Sequence, residues 1–392
     1  MTRVDLTDEQ VMMRDVARDF TRDVVLPLAN RLDPEKGDIP RELIEQMGEL
    51  GFFGILIPAD LGGLGLGVTD YCLVAEELAR GWMSVASLIA RGNGFYRAIR
   101  GGPDARAAKI EAMAAGRYLG AVALSEPGTG SDLSSVACRA RRDGDEWVIT
   151  GNKYWCTFAD GADFISVLCR REDGPADGPQ TIGITVEKPR GELPSGCSGS
   201  PIPKIGYFGW KTWELHFDGV RVPAEAGPAD SEGREAVRDT AFGLGVARAH
   251  TAARSIGLAR GAFEDAVAYA KERVQFGQPI ADFQAIRFKL ATMATEIEAA
   301  RSLMHHVCAG LDAGQAMRAE ISMVKLFASE MAERVTSEAL QIFGGAGYTT
   351  LYPVERYWRD ARLTKIFEGT SEIQQRIIAD LLLGKPTRPG SN

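Results

Sequence analysis

The chain has 392 residues, 45% of them hydrophobic, enough for a large core and for two or three domains of ordinary size. Its 45 basic and 53 acidic side chains leave a formal charge of −8, which argues against general binding of a phosphate backbone. Six cysteines without a CxxC, no uncharged run long enough for a bilayer and no apolar signal core in MTRVDLTDEQ imply a soluble, cytoplasmic protein, with neither nucleic acid nor membrane as partner.

Residues 1–119 read as an N-terminal α-helical domain. Thr7 and Gln10 form a capping box before VMMRDVARDFTRDVV, and Pro27 is expected to follow the end of that helix. ELIEQMGELGFFGILIP runs into the glycine-rich turn ADLGGLGLG, and the helical VTDYCLVAEELARG comes next. Over 120–232 the texture changes to short β-rich runs: SVACRARRDGDEWVITG with a hairpin at RDGDEW, then DFISVLC, TIGITVEK and WELHFDGVRVP. The glycine- and proline-rich stretches at 172–180 and 189–203 read as surface loops of this middle β domain. From 233 to 392 the helical period returns. Ile286, Leu290, Met293, Ile297, Ala300 and Met304 make one apolar stripe, and Ile321, Val324, Ala328, Met331, Val335, Ala339 and Ile342 make the next. Long helices with short turns predict an antiparallel bundle, ending in the frayed tail GKPTRPGSN.

Four histidines, His216, His250, His305 and His306, lack the Glu-x-x-His spacing of a bundle metal site, so no metal is assigned. Neither GxGxxG nor GxxxxGK[ST] is complete, so a nucleotide cofactor would have to bind without those loops. ALSEPGTGSD offers the hydroxyls of Ser125, Thr129 and Ser131 around two glycines, either to hold anionic or carbonyl oxygens or as a polar turn capped by Ser131 and Asp132. Trp155 and Thr157 place an aromatic plane and a hydroxyl in one strand, suited to a flat heterocycle or to ordinary packing. Arg273 and Phe276 in ERVQFGQPIADFQ, and the paired glycines of QIFGGAGY, stand at helix turns. In KIFEGTSEIQ, Gly369 suits a helix C-terminus and Ser371 with Gln374 a capping box, which leaves Glu368 without a structural duty.

The motifs IPADLGGLGLGVTDYCLVAEELARG, ALSEPGTGSDL, GNKYWCT, ELHFDGVRVP, AYAKERVQFGQPIADFQAI and QIFGGAGYTTLYPVERYWRDARLTKIFEGTSEIQ, in this order along nearly the whole chain, resemble the FAD-dependent acyl-CoA dehydrogenases. The resemblance implies an α+β, mostly α fold: an N-terminal α domain, a middle β-barrel or sandwich domain and a C-terminal four-helix bundle, assembled as a homotetramer. It implies oxidation of an acyl-CoA, as in fatty acid β-oxidation: Glu368 removes the α-proton while the β-hydrogen leaves as hydride to flavin N5. Electrons would pass to an electron-transfer flavoprotein. Val122, Leu124, Ser125, Gly130 and Ser131 match the strand and loop that line the flavin, with Trp155 flanking its ring and Thr157 near N5. Arg273, Phe276, Gln284, Gln341 and Gly345 match positions that reach FAD from a neighbouring subunit, and Thr370 and Glu372 match the family's contacts at the EGTSE turn. Ser131, Arg248, Phe367 and Gly369 match substrate contacts.

Some members place the base where this chain has Ala247, so Glu368 has no rival there. Two departures stand out: Gly245 where the pattern often has an acidic residue, and Trp210 with Lys211 where it has small or polar ones. These bring in, as the other reading, a non-standard acyl thioester, carrier-bound or oxidised by dioxygen. The acyl pocket would be set by residues around Trp82–Arg100, where Arg91 and Arg97 read as an exposed helix face rather than as partners of a charged acyl terminus.

Overall fold

Thr7 Oγ1 accepts the Gln10 amide at 3.2 Å and the Gln10 side chain accepts the Thr7 amide at 3.1 Å, so helix α1 (Asp8–Phe20) begins on the expected reciprocal cap. The computed structural model describes residues 6–173, 180–227, 233–384 and 386. Most of the loop at 172–180, and the tail after Gly384 except residue 386, lie outside the described residues. Pro27 does not end the first helical run. The chain widens into a π-turn over Thr21–Val25 and continues as α2 (Leu26–Leu32), with Pro27 in its first turn. Within a continuous run a proline removes one backbone donor and its ring crowds the preceding turn, and the wide turn over Thr21–Val25 lies where that crowding falls.

Helices α3 (Arg41–Glu49), α4 (Val68–Gly81), α5 (Met83–Leu88), α6 (Ala90–Asn93) and α7 (Pro103–Ala114) complete the first third. All of α4 except Arg80 is buried, including Glu76 and Glu77. These carboxylates are neutralised from three sides: Arg260 donates to Glu76 at 2.8 Å and pairs with Glu77, Arg301 donates to Glu76 at 2.9 Å, and Arg18 to Glu77 at 3.1 Å. Without such partners each buried charge would cost several kcal/mol, on the order of the whole stability of a domain.

Seven strands then form one sheet: β1 (Gly120–Ala123), β2 (Arg139–Asp143), β3 (Glu146–Thr157), β4 (Phe164–Arg171), β5 (Thr181–Glu187), β6 (Cys197–Pro201) and β7 (Thr212–Pro223). β4 is the pivot. It pairs in parallel with β1, Gly120 beside Phe164, and with β2, and antiparallel with β5. The RDGDEW hairpin joins β2 to β3, and β7 lies between β3 and β6. The β3–β7 register slips between Lys153 and Cys156. Such a bulge re-aims the residues it contains.

The last third contains α8 (Gly233–Glu272), the small hairpin β8 (Val274–Gln275) and β9 (Gln278–Pro279), α9 (Gln284–Asp312), α10 (Arg318–Phe343), α11 (Val354–Thr364) and α12 (Ser371–Leu383). The α10 stripe from Ile321 to Ile342 is buried, as are Met293, Ile297, Ala300 and Met304 of α9. Against α4, α8 approaches so closely that a Cβ on Gly257 would lie 2.2 Å from the Glu76 carbonyl oxygen. One apolar core, reaching from Ala17 through Ala140 to Ala361, runs through both helical parts and the sheet.

Candidate active site

Between α11 and α12 the backbone turns through two successive left-handed residues, Glu368 (φ 56) and Gly369 (φ 89). A glutamate pays for that conformation with roughly 1–2 kcal/mol of steric strain, so the surroundings must hold it. The Gly369 carbonyl accepts Lys325 Nζ from α10 at 2.7 Å and Gln374 Nε2 from α12 at 3.0 Å. The cap of α12 is Thr370, whose hydroxyl accepts the Ile373 amide at 3.3 Å. The expected Ser371–Gln374 box is therefore absent. Ser371 turns to Glu330 at 2.8 Å, and Gln374 is used to grip the turn. Burial pushes Lys325 down to about 8 although the Glu368 charge opposes the shift.

Glu368 lies on the wall of a cavity of about 380 Å³. Leu56, Leu66, Val68, Tyr71 and Ala90 give it an apolar side, and Val246, Ala247 and His250 of α8 close it. The His250 ring is neutral: burial, reinforced by the Arg254 charge, drives its pKa well below the ordinary value, and it stacks on Tyr71 at 4.6 Å. Among the described residues the Glu368 amide donates to no backbone carbonyl, so it is uncommitted beside its own carboxylate. A carboxylate and a free N–H on one turn can remove a proton from a carbon and hold the oxygen of the carbonyl that acidifies it.

Trp155 occupies the bulge of β3 with φ 65 and remains 56% exposed. A large indole held in a strained conformation and left uncovered is an aromatic shelf for a flat partner. Thr157 follows on the same strand, its hydroxyl 3.1 Å from that of Thr212. The Ser125 carbonyl accepts the Tyr154 amide at 2.8 Å, which ties the ALSEPGTGSD loop to the shelf. Lys153, fully buried, donates to Leu124 O at 2.9 Å and Glu126 Oε1 at 2.8 Å, while Glu126 also accepts the Ala137 and Cys138 amides. Burial alone would raise the Glu126 pKa, but these donors hold it below the usual range. Val122 and Leu124 lead into this loop, and Gly130 and Ser131 form its exposed rim. Here flat aromatic surface, hydroxyls and open backbone suit a flavin ring.

The expected site residues fall into two groups. Arg248 lies near Glu368, whose charge acts on its guanidinium, and Phe367 adjoins Glu368. Arg273 and Phe276 sit on or beside the β8–β9 hairpin, Gln284 opens α9, and Gln341 and Gly345 stand at the end of α10. Along α8 a rise of ~1.5 Å per residue puts Arg273 roughly 35 Å from Arg248. The hairpin is thus well removed from Glu368. Phe276 is 92% exposed, and Glu372 is exposed on the first turn of α12.

Other residues are placed differently from the sequence reading or were not singled out by it. Arg91 is not on an exposed face: its Nε is enclosed, and its guanidinium lies 5.1 Å from the Trp210 ring and 5.9 Å from that of Phe158. Arg254, 3% exposed, stands over the Phe367 ring at 4.7 Å and donates to Ser87 Oγ at 2.6 Å and Thr251 Oγ1 at 2.9 Å. Lys211 faces Asp38 at 3.3 Å and Asp160 at 3.8 Å, so it serves a surface ion pair. The signal for Arg254 was available, a cation inside the alanine-rich face of α8, but helical period alone does not separate it from a flank.

Comparison with known proteins agrees with this geometry. Family profiles described as acyl-CoA dehydrogenase N-terminal, middle and C-terminal domains match residues 7–117, 121–220 and 236–383. The (2S)-methylsuccinyl-CoA dehydrogenase of Cereibacter sphaeroides is 39% identical over 387 residues, covering 96% of this chain and 70% of its own. The benzylmalonyl-CoA dehydrogenase of Aromatoleum aromaticum is 39% identical over 381 residues, covering 96% and 98%. A glutaryl-CoA dehydrogenase from Mycobacterium smegmatis, solved in complex with FADH2, matches with a TM-score of 0.87 and 28% identity over 97% of this chain and 96% of that one.

Proposed function

Because the chain belongs to the acyl-CoA dehydrogenase family of FAD-dependent oxidoreductases, we propose that it introduces an α,β double bond into an acyl-CoA, with Glu368 as the base. The observation that carries this reading is the left-handed turn that sets Glu368, its amide uncommitted, on the cavity wall. A proton α to a thioester carbonyl is weakly acidic, so its removal needs a fixed carboxylate and a hydrogen bond to the carbonyl oxygen. Glu368 supplies the first and its own N–H the second. FAD, when bound, supplies the acceptor for the hydrogen that leaves the β-carbon with its electrons.

Val122, Leu124, Ser125, Gly130, Ser131, Trp155 and Thr157 hold the flavin ring in this reading. Arg273, Phe276, Gln284, Gln341 and Gly345 serve the adenosine end of a neighbouring subunit's cofactor in a tetramer, and Thr370 and Glu372 complete its contacts. Ser131 and Arg248 hold the thioester carrier, with Phe367 and Gly369 around the acyl carbonyl. The units 1–119, 120–232 and 233–392 meet at the site, and an electron-transfer flavoprotein takes the electrons. The test is anaerobic addition of acyl-CoA to the yellow holoenzyme. Wild type bleaches, and Glu368→Gln keeps its flavin but loses ~10²–10⁴ in rate. Full turnover by that variant would overturn the assignment.

A further inference from the structure

Arg260, Arg301 and Arg359 show one way in which this chain holds a largely enclosed guanidinium. Each holds at least one carboxylate: Glu76 and Glu77 for Arg260, Glu76 for Arg301, and Asp33 with Glu355 for Arg359. Arg356 donates to Asn30 Oδ1 at 3.0 Å and the Gly81 carbonyl at 3.2 Å with the charges of Asp265 and Asp360 close by, whereas Arg91 and Arg254 go without a carboxylate beside the cavity. Among the described residues Arg254 finds only Ser87, Thr251 and the His250 carbonyl, and Arg91 makes neither a hydrogen bond nor an ion pair. Nearby, the Trp210 indole N–H is enclosed without an acceptor. The groups left over beside the Trp210 ring are donors, and what they lack is an acceptor with negative charge; the nearest spare acceptor, Asp360 Oδ2, belongs to the carboxylate that already takes the Tyr207 amide.

The two cations lie close to the reacting end of the site. Arg254 covers Phe367, the residue before the base, and the Tyr207 ring lies 6.0 Å from Phe367 and 5.1 Å from Trp210, over which Arg91 stands. Ala90 and His250, which line the cavity, are neighbours of Arg91 along α6 and of Arg254 one turn back along α8. Glu368 is the acid whose charge reaches this group, and it is committed to proton removal. Burial lowers the Arg91 pKa, as expected of a cation lacking its counter-charge.

We propose that Arg91 and Arg254, with the Tyr207 hydroxyl and the Trp210 N–H, recognise a carboxylate on the acyl group, so that the substrate is a short acyl-CoA bearing a second, anionic carboxyl function. The inference rests on the reading of Glu368 as the base of an acyl-CoA desaturation. Aromatic walls at Phe158, Tyr207, Trp210 and Phe367 limit the length of the chain, and the guanidiniums replace the water that the carboxylate leaves.

The test uses the FAD-loaded wild type with succinyl-, methylsuccinyl- and glutaryl-CoA, each against the analogue whose free carboxylate is a neutral amide, read by anaerobic bleaching and by kcat/KM. At least one carboxylate should exceed its amide by ~10-fold or more, the size of a charge-assisted hydrogen bond. Arg91→Gln and Arg254→Gln should each collapse that ratio, with Arg→Lys restoring part of it. The wild-type comparison stands even if a variant misfolds. Equal or better use of the amides, or of uncharged chains only, overturns this inference and leaves the desaturation reading intact. Bleaching by no thioester of either kind overturns both.

Discussion

Left-handed backbone at non-glycine residues marks the site more sharply than composition does. Among the described residues Trp155, Phe158, Tyr207 and Glu368 have positive φ around the site, and Lys36 and Phe276, the latter on the distant β8–β9 hairpin, lie elsewhere. Strain of this kind persists where surrounding contacts over-determine it. At Glu368 that contact is Lys325, and its cost is measurable. With its pKa near 8 in the folded chain against 10.5 ordinarily, the unfolded chain holds the extra proton between those values. Lys325 should therefore add stability as pH rises through that window, by up to roughly 2–3 kcal/mol, and Lys325→Met should remove its share of the slope in paired urea titrations, leaving that of Lys204. Glu368 itself stood out because no structural duty claimed it, and its proposed role came from the resemblance. Lys325 was not: it follows Val324 at the edge of an apolar stripe, where a lysine reads as a solvated flank, and only the turn packed above it reveals the carbonyl it serves.

At the scale of elements, the apolar stripes of α9 and α10 and the hairpin between β2 and β3 could be read from the chain because period and turn chemistry are local. The π-turn before Pro27 and the bulge under Trp155 could not, since each depends on what the next element requires of the chain. The same is true of the α4–α8 contact. Gly257 reads as a weak spot in a helix, yet it admits the backbone of Glu76 and so lets Arg260 reach two buried acids. Gly257→Ala should force the helices apart and cost ~1–3 kcal/mol by denaturant midpoint, with a larger loss if the Arg260 pairs part as well.

For the whole molecule, the exposed apolar residues are unevenly distributed. Val274, Phe276, Phe288, Tyr348 and Leu351 are all at least half exposed, and they belong to the hairpin, the start of α9 and the segment after α10. Under the proposed tetramer these surfaces meet a second copy and its cofactor. Phe276→Asp should keep the helical signal while lowering molar mass in light scattering and weakening FAD retention at least ~10-fold; an unchanged assembly with full flavin would exclude Phe276 from that role. The grip on the turn at Gly369 has a consequence for the history of such a chain. Lys325 and Gln374 hold a main-chain oxygen, not the side chain at 368. Inheritance can therefore alter the acid without dismantling the scaffold beneath it, so a lineage with this architecture is free to lose or exchange its chemistry while the shape is transmitted unchanged.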